Sequence, residues 1–179
     1  YTILYASVLI LVALGGCFSE HSGVINLGLE GIMVMGALGG ALTMKYMIGY
    51  PPAVIVILTI LAAAVTGLVF SALLAVACIN FKADQTIVGT ALNMLGLAAA
   101  TVIVKAINIA ENPDNVSATV QYIAQKKSFL VNIGGFEFNW MMLVALVILI
   151  AAYIVLYKTK FGLRLICLLY TSDAADDKA

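Results

Sequence analysis

Charged side chains are scarce in this sequence: they make up 10% of its 179 residues, against about 25% in a soluble domain. So thin a polar complement cannot cover a surface in water. With 64% hydrophobic residues, the chain's solvent is expected to be largely lipid. Net charge is lacking too, with nine Lys+Arg against nine Asp+Glu. No basic patch points to nucleic acid, and no acidic run points to a solvating tail. A single histidine excludes a multi-histidine site within the chain. The three cysteines, Cys17, Cys78 and Cys167, lie far apart, and no CxxC or Cys/His spacing supports a metal or a disulfide. There is no Walker motif, no nucleophile with a base, and no carboxylate pair at metal-ligand spacing. Neither catalysis, a cofactor nor a metal is therefore expected. The chain opens in an apolar run with no initiating Met and no basic n-region or cleavage site of a signal peptide. It reads as a cut through a longer protein.

What is present is hydrophobic length. A bilayer-spanning helix needs about 20 mostly apolar residues. Five segments qualify or nearly do: Tyr1–Phe18, Ile32 to about Met47, Pro51 to about Ile79, Thr86–Val104 and Asn139–Tyr157. Pro51 and Pro52 suit a helix start, where a missing N–H costs least. Asp84 is placed to cap the fourth span. Each span must satisfy its backbone internally, which favours helices, and the alternation of a membrane barrel is absent. The expected fold is an all-α polytopic membrane helix bundle of about five spans. Small residues recur every four positions: Ala63, Gly67, Ser71 and Ala75 on the third span, Gly36 and Gly40 on the second, Gly96 and Ala100 on the fourth. In lipid such stripes let helices approach closely. Lys105–Phe138 is the one long polar connection. It holds the turn-forming "ENPDN" and then Gly134-Gly135 between short apolar runs, as in a small hairpin. Lysines and arginine fall equally on both sides of the spans, so charge alone does not orient the chain.

Between the first two spans lies "SEHSGVINLGLEG", Ser19–Gly31, the densest polar cluster of the chain. Glycines at 23, 28 and 31 permit a break and a close backbone approach. A broken helix inside a membrane is tolerated where its backbone lines a cavity or is buried in protein. Transporters place polar solutes at such breaks. Asn26 and Glu30 stand four apart, on one face if both are helical. Three readings stay open: they line a solute path, they pair with other helices, or the stretch is a plain solvated turn. Asn93, inside the fourth span, is divided between a path residue and a helix–helix hydrogen bond. Glu20 and His21 suit structure or gating better than solute contact, and Asp84 joins them as a structural polar residue.

The end of the chain reads differently. "CLLYTSDAADDKA" is similar to the translation of a sequencing-library adaptor. Residues 167–179 are expected to be a non-native tail, and 1–166 a transmembrane permease domain truncated at both ends. Without that tail the chain carries about +2, from eight basic and six acidic residues.

"LGGCFSEHSGVINLGLEGIMVMGALGGAL" resembles the signature region of permease subunits of bacterial ABC importers for nucleosides and simple sugars, the branch that includes ribose-type and branched-chain amino acid permeases. Ser19, Glu20, Gly23–Asn26 and Leu27–Gly31 carry the match, and His21 stands where Arg or Lys is usual. "KADQTIVGTALNMLGLAAA" resembles the family's next signature through Lys82, Asp84, Gln85, Gly89, Asn93 and Leu95. "KTKFGLRL" resembles the start of its ATPase-docking segment through Thr159, Gly162, Leu163 and Arg164. The likeness runs from Tyr1 to about Ile166. It implies a multi-pass protein of the bacterial cytoplasmic membrane with the Lys105–Phe138 loop outside and Lys158–Arg164 inside. It also implies the partners: a cytoplasmic ABC ATPase subunit that hydrolyses the ATP, a second permease subunit, an extracellular or periplasmic substrate-binding protein, and membrane lipid. Nucleosides are the first expected solutes and ribose-like sugars the second. A proton-coupled secondary transporter using Glu20, Glu30 and His21, or a membrane scaffold, are the rival readings.

Overall fold

A computed structural model describes residues 2–23, 25–120, 130–133 and 136–167. Its elements are α1 (Thr2–His21), α2 (Leu29–Tyr46), α3 (Pro52–Asn80), α4 (Gln85–Glu111), β1 (Leu130–Ile133), β2 (Phe136–Asn139) and α5 (Trp140–Lys158). The protein is a polytopic helical membrane protein. Helices α3 and α4, and Met141–Lys158 of α5, are long and apolar enough to cross a membrane. Tyr5–His21 of α1 is apolar but shorter, and α2 carries Glu30 and Lys45 within its two end turns. Strands β1 and β2 pair in a two-stranded sheet, the hairpin expected there; Gly134 and Gly135 themselves lie outside the described residues. So do residues 168–179 of the expected tail.

The helices form where their local chemistry allows. Pro51 precedes α3 and Pro52 opens it, a position that lacks an intrahelical N–H partner in any case. Asp84 accepts the N–H groups of Thr86 and Ile87 at 2.7 and 3.3 Å, as an N-cap should. Helix α1 stops at a turn in which Gly23, at φ 78, donates to the Glu20 carbonyl at 3.0 Å. That left-handed conformation is open to glycine at little cost. Helix α4 runs on to Glu111, so the polar connection begins at Asn112 and not at Lys105. The charge at Lys105 marks a change in polarity, but Asn108 is buried on the same helix, so packing carries the helix past it.

The chain divides into two compact units, residues 27–138 and the two ends of the chain. In the first, α2 lies between α3 and α4. Gly36 and Gly40 face Ala63 and Thr59, and Gly67 faces Ile32, so α2 and α3 run antiparallel. A Cβ on Gly36 would stand 3.2 Å from the Ala63 carbonyl. The expected α3 stripe meets α2 at Ala63 and Gly67 only. Ser71 bonds its own Leu68 carbonyl and Ala75 is exposed, while Phe70 and Leu74 pack with Leu92 of α4. The register pairs Gly36 with Ala63 and Ile32 with Gly67, so one step further along α3 lies opposite residue 28, before α2 begins at Leu29. On the other side Leu38 joins Ala100 and Val104 of α4. Lys45 and Glu111 close that end of the pair at 2.7 Å.

In the second unit α1 packs on α5. Ala145, Ala152 and Leu156 of α5 are buried, as is Ser7 of α1. The His21 ring meets Tyr157 edge-on, centroids 6.5 Å apart. Beyond α5, Thr159 is extended and its hydroxyl donates to the Val155 carbonyl at 2.5 Å. Residues 160–167 then resume as helix.

Candidate functional site

Helix α2 begins without a side-chain cap of its own, because its N-cap is Gly28. The first N–H groups of a helix have no intrahelical partner. Asn93, the ninth residue of α4, supplies what is missing. Its Oδ1 accepts the Gly31 N–H at 2.7 Å, and its Nδ2 donates to the Leu27 carbonyl at 2.6 Å. One amide thus caps a helix from a neighbouring one and ties down the segment leading into it.

That reach requires the backbones to be close. A Cβ added to Gly96 would lie 2.9 Å from the Gly31 Cα, and one on Gly31 would lie 2.6 Å from the Leu92 carbonyl. A Cβ on Gly89 would come within 3.0 Å of the Gly28 nitrogen. No side chain heavier than hydrogen fits at these three glycines without moving a backbone.

Glu30, exposed in the first turn of α2, stands beside this junction. It lines a half-open groove of about 160 Å³ with Val34, Asn93, Met94 and Leu97. The carboxylate is placed favourably near a helix N-terminus and can accept from hydroxyl donors. Asn93 keeps only one amide hydrogen, since the other and its oxygen are engaged.

Of the residues singled out in the sequence, Glu30 and Asn93 therefore meet, and Asn93 is a helix–helix hydrogen-bonding residue. Asn26 precedes α2 and is not helical, so the shared helical face expected for Asn26 and Glu30 does not exist. The glycines that break the chain here also take Asn26 out of the helix. Glu20 and His21 belong to α1, in the other unit. The His21 Nδ1–H donates to the Cys17 carbonyl at 2.7 Å, which leaves Nε2 without the proton in the neutral ring. Asp84 is fully exposed, and the N–H groups of Ile87 and Thr86 hold its carboxyl below its ordinary value of 3.8. Gly162 is buried against the Leu156 backbone, whereas Leu163 and Arg164 are exposed.

Two features escaped the sequence. Asn108 is 2% exposed and donates to the carbonyls of Ser117 and Thr119, and Lys45 pairs with Glu111 across the seam. An amide four positions past Val104, the last residue of the expected fourth span, was the available signal for the first.

Comparison with known proteins adds the lineage. The guanosine ABC transporter permease protein NupQ of Bacillus subtilis (strain 168) is 39% identical over 170 residues, covering 92% of this chain and 53% of that protein. The nucleoside ABC transporter permease protein NupC of Lactococcus lactis subsp. cremoris (strain MG1363) is 34% identical over 178 residues, covering 97% and 56%. The putative glucose ABC transporter permease protein TsgC13 of Haloferax volcanii is 38% identical over 104 residues, covering 56% and 29%. The chain spans about half the length of the first two relatives. No solved structure matches it. Residues 1–176 match the family described as "Branched-chain amino acid transport system / permease component", and the chain belongs to that family.

Proposed function

We propose that this chain is part of a permease subunit of an ABC importer that moves nucleosides across the bacterial cytoplasmic membrane. The groove at the start of α2, with the Glu30 carboxylate open and Asn93 locking the junction beside it, carries the reading. Ribose presents vicinal hydroxyls, and a carboxylate accepts from both. Asn93 stands eight residues past the start of α4, about 12 Å along its axis. That approaches the middle of a hydrocarbon layer about 30 Å thick, where a polar solute needs such a partner. The nucleoside substrates named for two relatives support the solute class. Glucose, named for a third, makes simple sugars the second choice.

In this reading Glu30 touches solute and Asn93 positions it, while Asn26 flanks the path. Glu20, His21 and Asp84 serve structure at the helix ends. The chain does not hydrolyse ATP. A cytoplasmic ATPase docks on the segment that begins with Gly162, Leu163 and Arg164, where Phe161 and Leu163 are 57% and 62% exposed. A second permease subunit completes the path and an external binding protein delivers the solute.

The test is uptake of labelled guanosine and ribose by cells carrying the full-length gene, with and without its ATPase. ATPase-dependent guanosine uptake is expected. Uptake that survives loss of the ATPase and collapses with the proton gradient would overturn the importer reading, as would no uptake of either solute.

A further inference from the structure

The groove at Glu30 does not end there. Val34 and Leu97 line it and also line a larger trough, of about 400 Å³, along the α2–α4 seam. The floor of the trough is made of small side chains, Ala37, Ala41 and Ala100 among them. Its far end is walled by Ala118, Thr119 and Val120, which belong to neither a helix nor a strand. One buried side chain of α4 ties this wall to the helix. Asn108 is 2% exposed, and its Nδ2 donates to the Ser117 carbonyl at 2.8 Å and the Thr119 carbonyl at 3.0 Å. Around it the wall closes on itself. The Ser117 and Thr119 hydroxyls lie 2.7 Å apart, and the Ser117 N–H donates to Asn115 Oδ1 at 3.2 Å. Val120 packs on Leu38, Ala100 and Val104.

An amide is costly to bury unless its donors are used. Here both donors go to a loop, with α4 as the rigid support. We propose that Asn108 is a positioning residue of the solute path: by clamping Ser117–Val120 as the end wall of the seam trough, it sets the size of solute that can enter. The proposal rests on the permease reading above. It deepens that reading by naming a size filter set by a residue that touches no solute.

The experiment uses the full-length permease in cells, freed of its other cysteines and carrying Ala41→Cys on the trough floor. Two membrane-impermeant maleimides, one small and one bulky, are added from outside. With Asn108 intact the bulky reagent is expected to react more slowly than the small one. Asn108→Asp keeps the shape but removes both donors, and the bulky rate should rise on the order of tenfold while the small-reagent rate holds. A bulky rate unchanged by Asn108→Asp would overturn the proposal. So would an Ala41→Cys that no external reagent reaches. Should Asn108→Asp fail to reach the membrane, Ala118→Trp decides with Asn108 intact: a further slowing of the bulky reagent supports the wall, and an unchanged rate overturns it. Labelling is read without transport. A closed size gap in a protein that imports nothing would therefore sink the permease reading while leaving the clamp standing.

Discussion

Asn93 and Glu30 sit side by side, yet their chemistry separates them. Asn93 uses its oxygen on Gly31 and one amide hydrogen on Leu27, so removing it orphans a donor and an acceptor at once. Asn93→Leu should lower stability by about 1–3 kcal/mol for each group left unpaired, read as a lowered melting temperature in detergent. Glu30 is exposed, and Glu30→Gln should cost only the small helix-terminus term, about 0.3–1 kcal/mol, while cutting nucleoside uptake by about tenfold. Equal loss of stability in both variants would make the cluster purely structural. Asp84 gives a third expectation, in pH. Its carboxyl is held low by the N–H groups of Ile87 and Thr86, so the charged form is favoured in the folded state. That contribution is fully present above its ordinary value of 3.8 and disappears as the pH falls through the lower folded value. The advantage of the parent over Asp84→Asn in melting temperature should be constant at neutral pH and vanish in strong acid.

Between helices, the decisive elements are the ones with least side chain. Where α2 meets α4, Gly28 faces Gly89 and Gly31 faces Gly96. Gly96→Ala would set a Cβ 2.9 Å from the Gly31 Cα and its carbonyl. The helices must part, at a cost of about 1–3 kcal/mol for an overfilled contact. The same shift stretches the Asn93 bonds, so folded yield and uptake should fall together; retention of both would show that the seam tolerates a gap. Much of this was legible in the sequence. Small residues at 36, 40, 96 and 100 pointed to close packing, Asp84 to a helix start, and Gly134-Gly135 to a hairpin. What was not legible followed from three-dimensional register. Helix α2 begins at Leu29, so the α3 stripe beyond Gly67 runs past its start, and only the fold sets that register. The sequence offered no cap for α2, whose span it started at Ile32, and only the fold names Asn93 as the acceptor that caps it. Asn108 reads as one more polar residue until Ser117 and Thr119 are brought over it.

At the scale of the whole molecule, the chain spans about half the length of the first relatives it matches, and the proposed docking of an ATPase puts the weight on the end of α5. Thr159 interrupts that helix, and residues 160–167 turn off from it. A Cβ on Gly162 would collide with the Leu156 carbonyl, so Gly162→Ala should displace residues 160–167, the segment proposed to dock the ATPase. Uptake is expected to fall on the order of tenfold with the amount of permease in the membrane unchanged, and normal uptake would remove this segment from the coupling path. The α2–α4 seam carries a different consequence. Two backbones in contact at Gly31 and Gly96 leave no side chain between them to repack, the geometry of a fulcrum. Lys45, fourteen residues further along α2, is then the tip of a lever arm about 21 Å long. A small tilt at the glycines would become a wide swing at the tip, where the Lys45–Glu111 ion pair spans the seam.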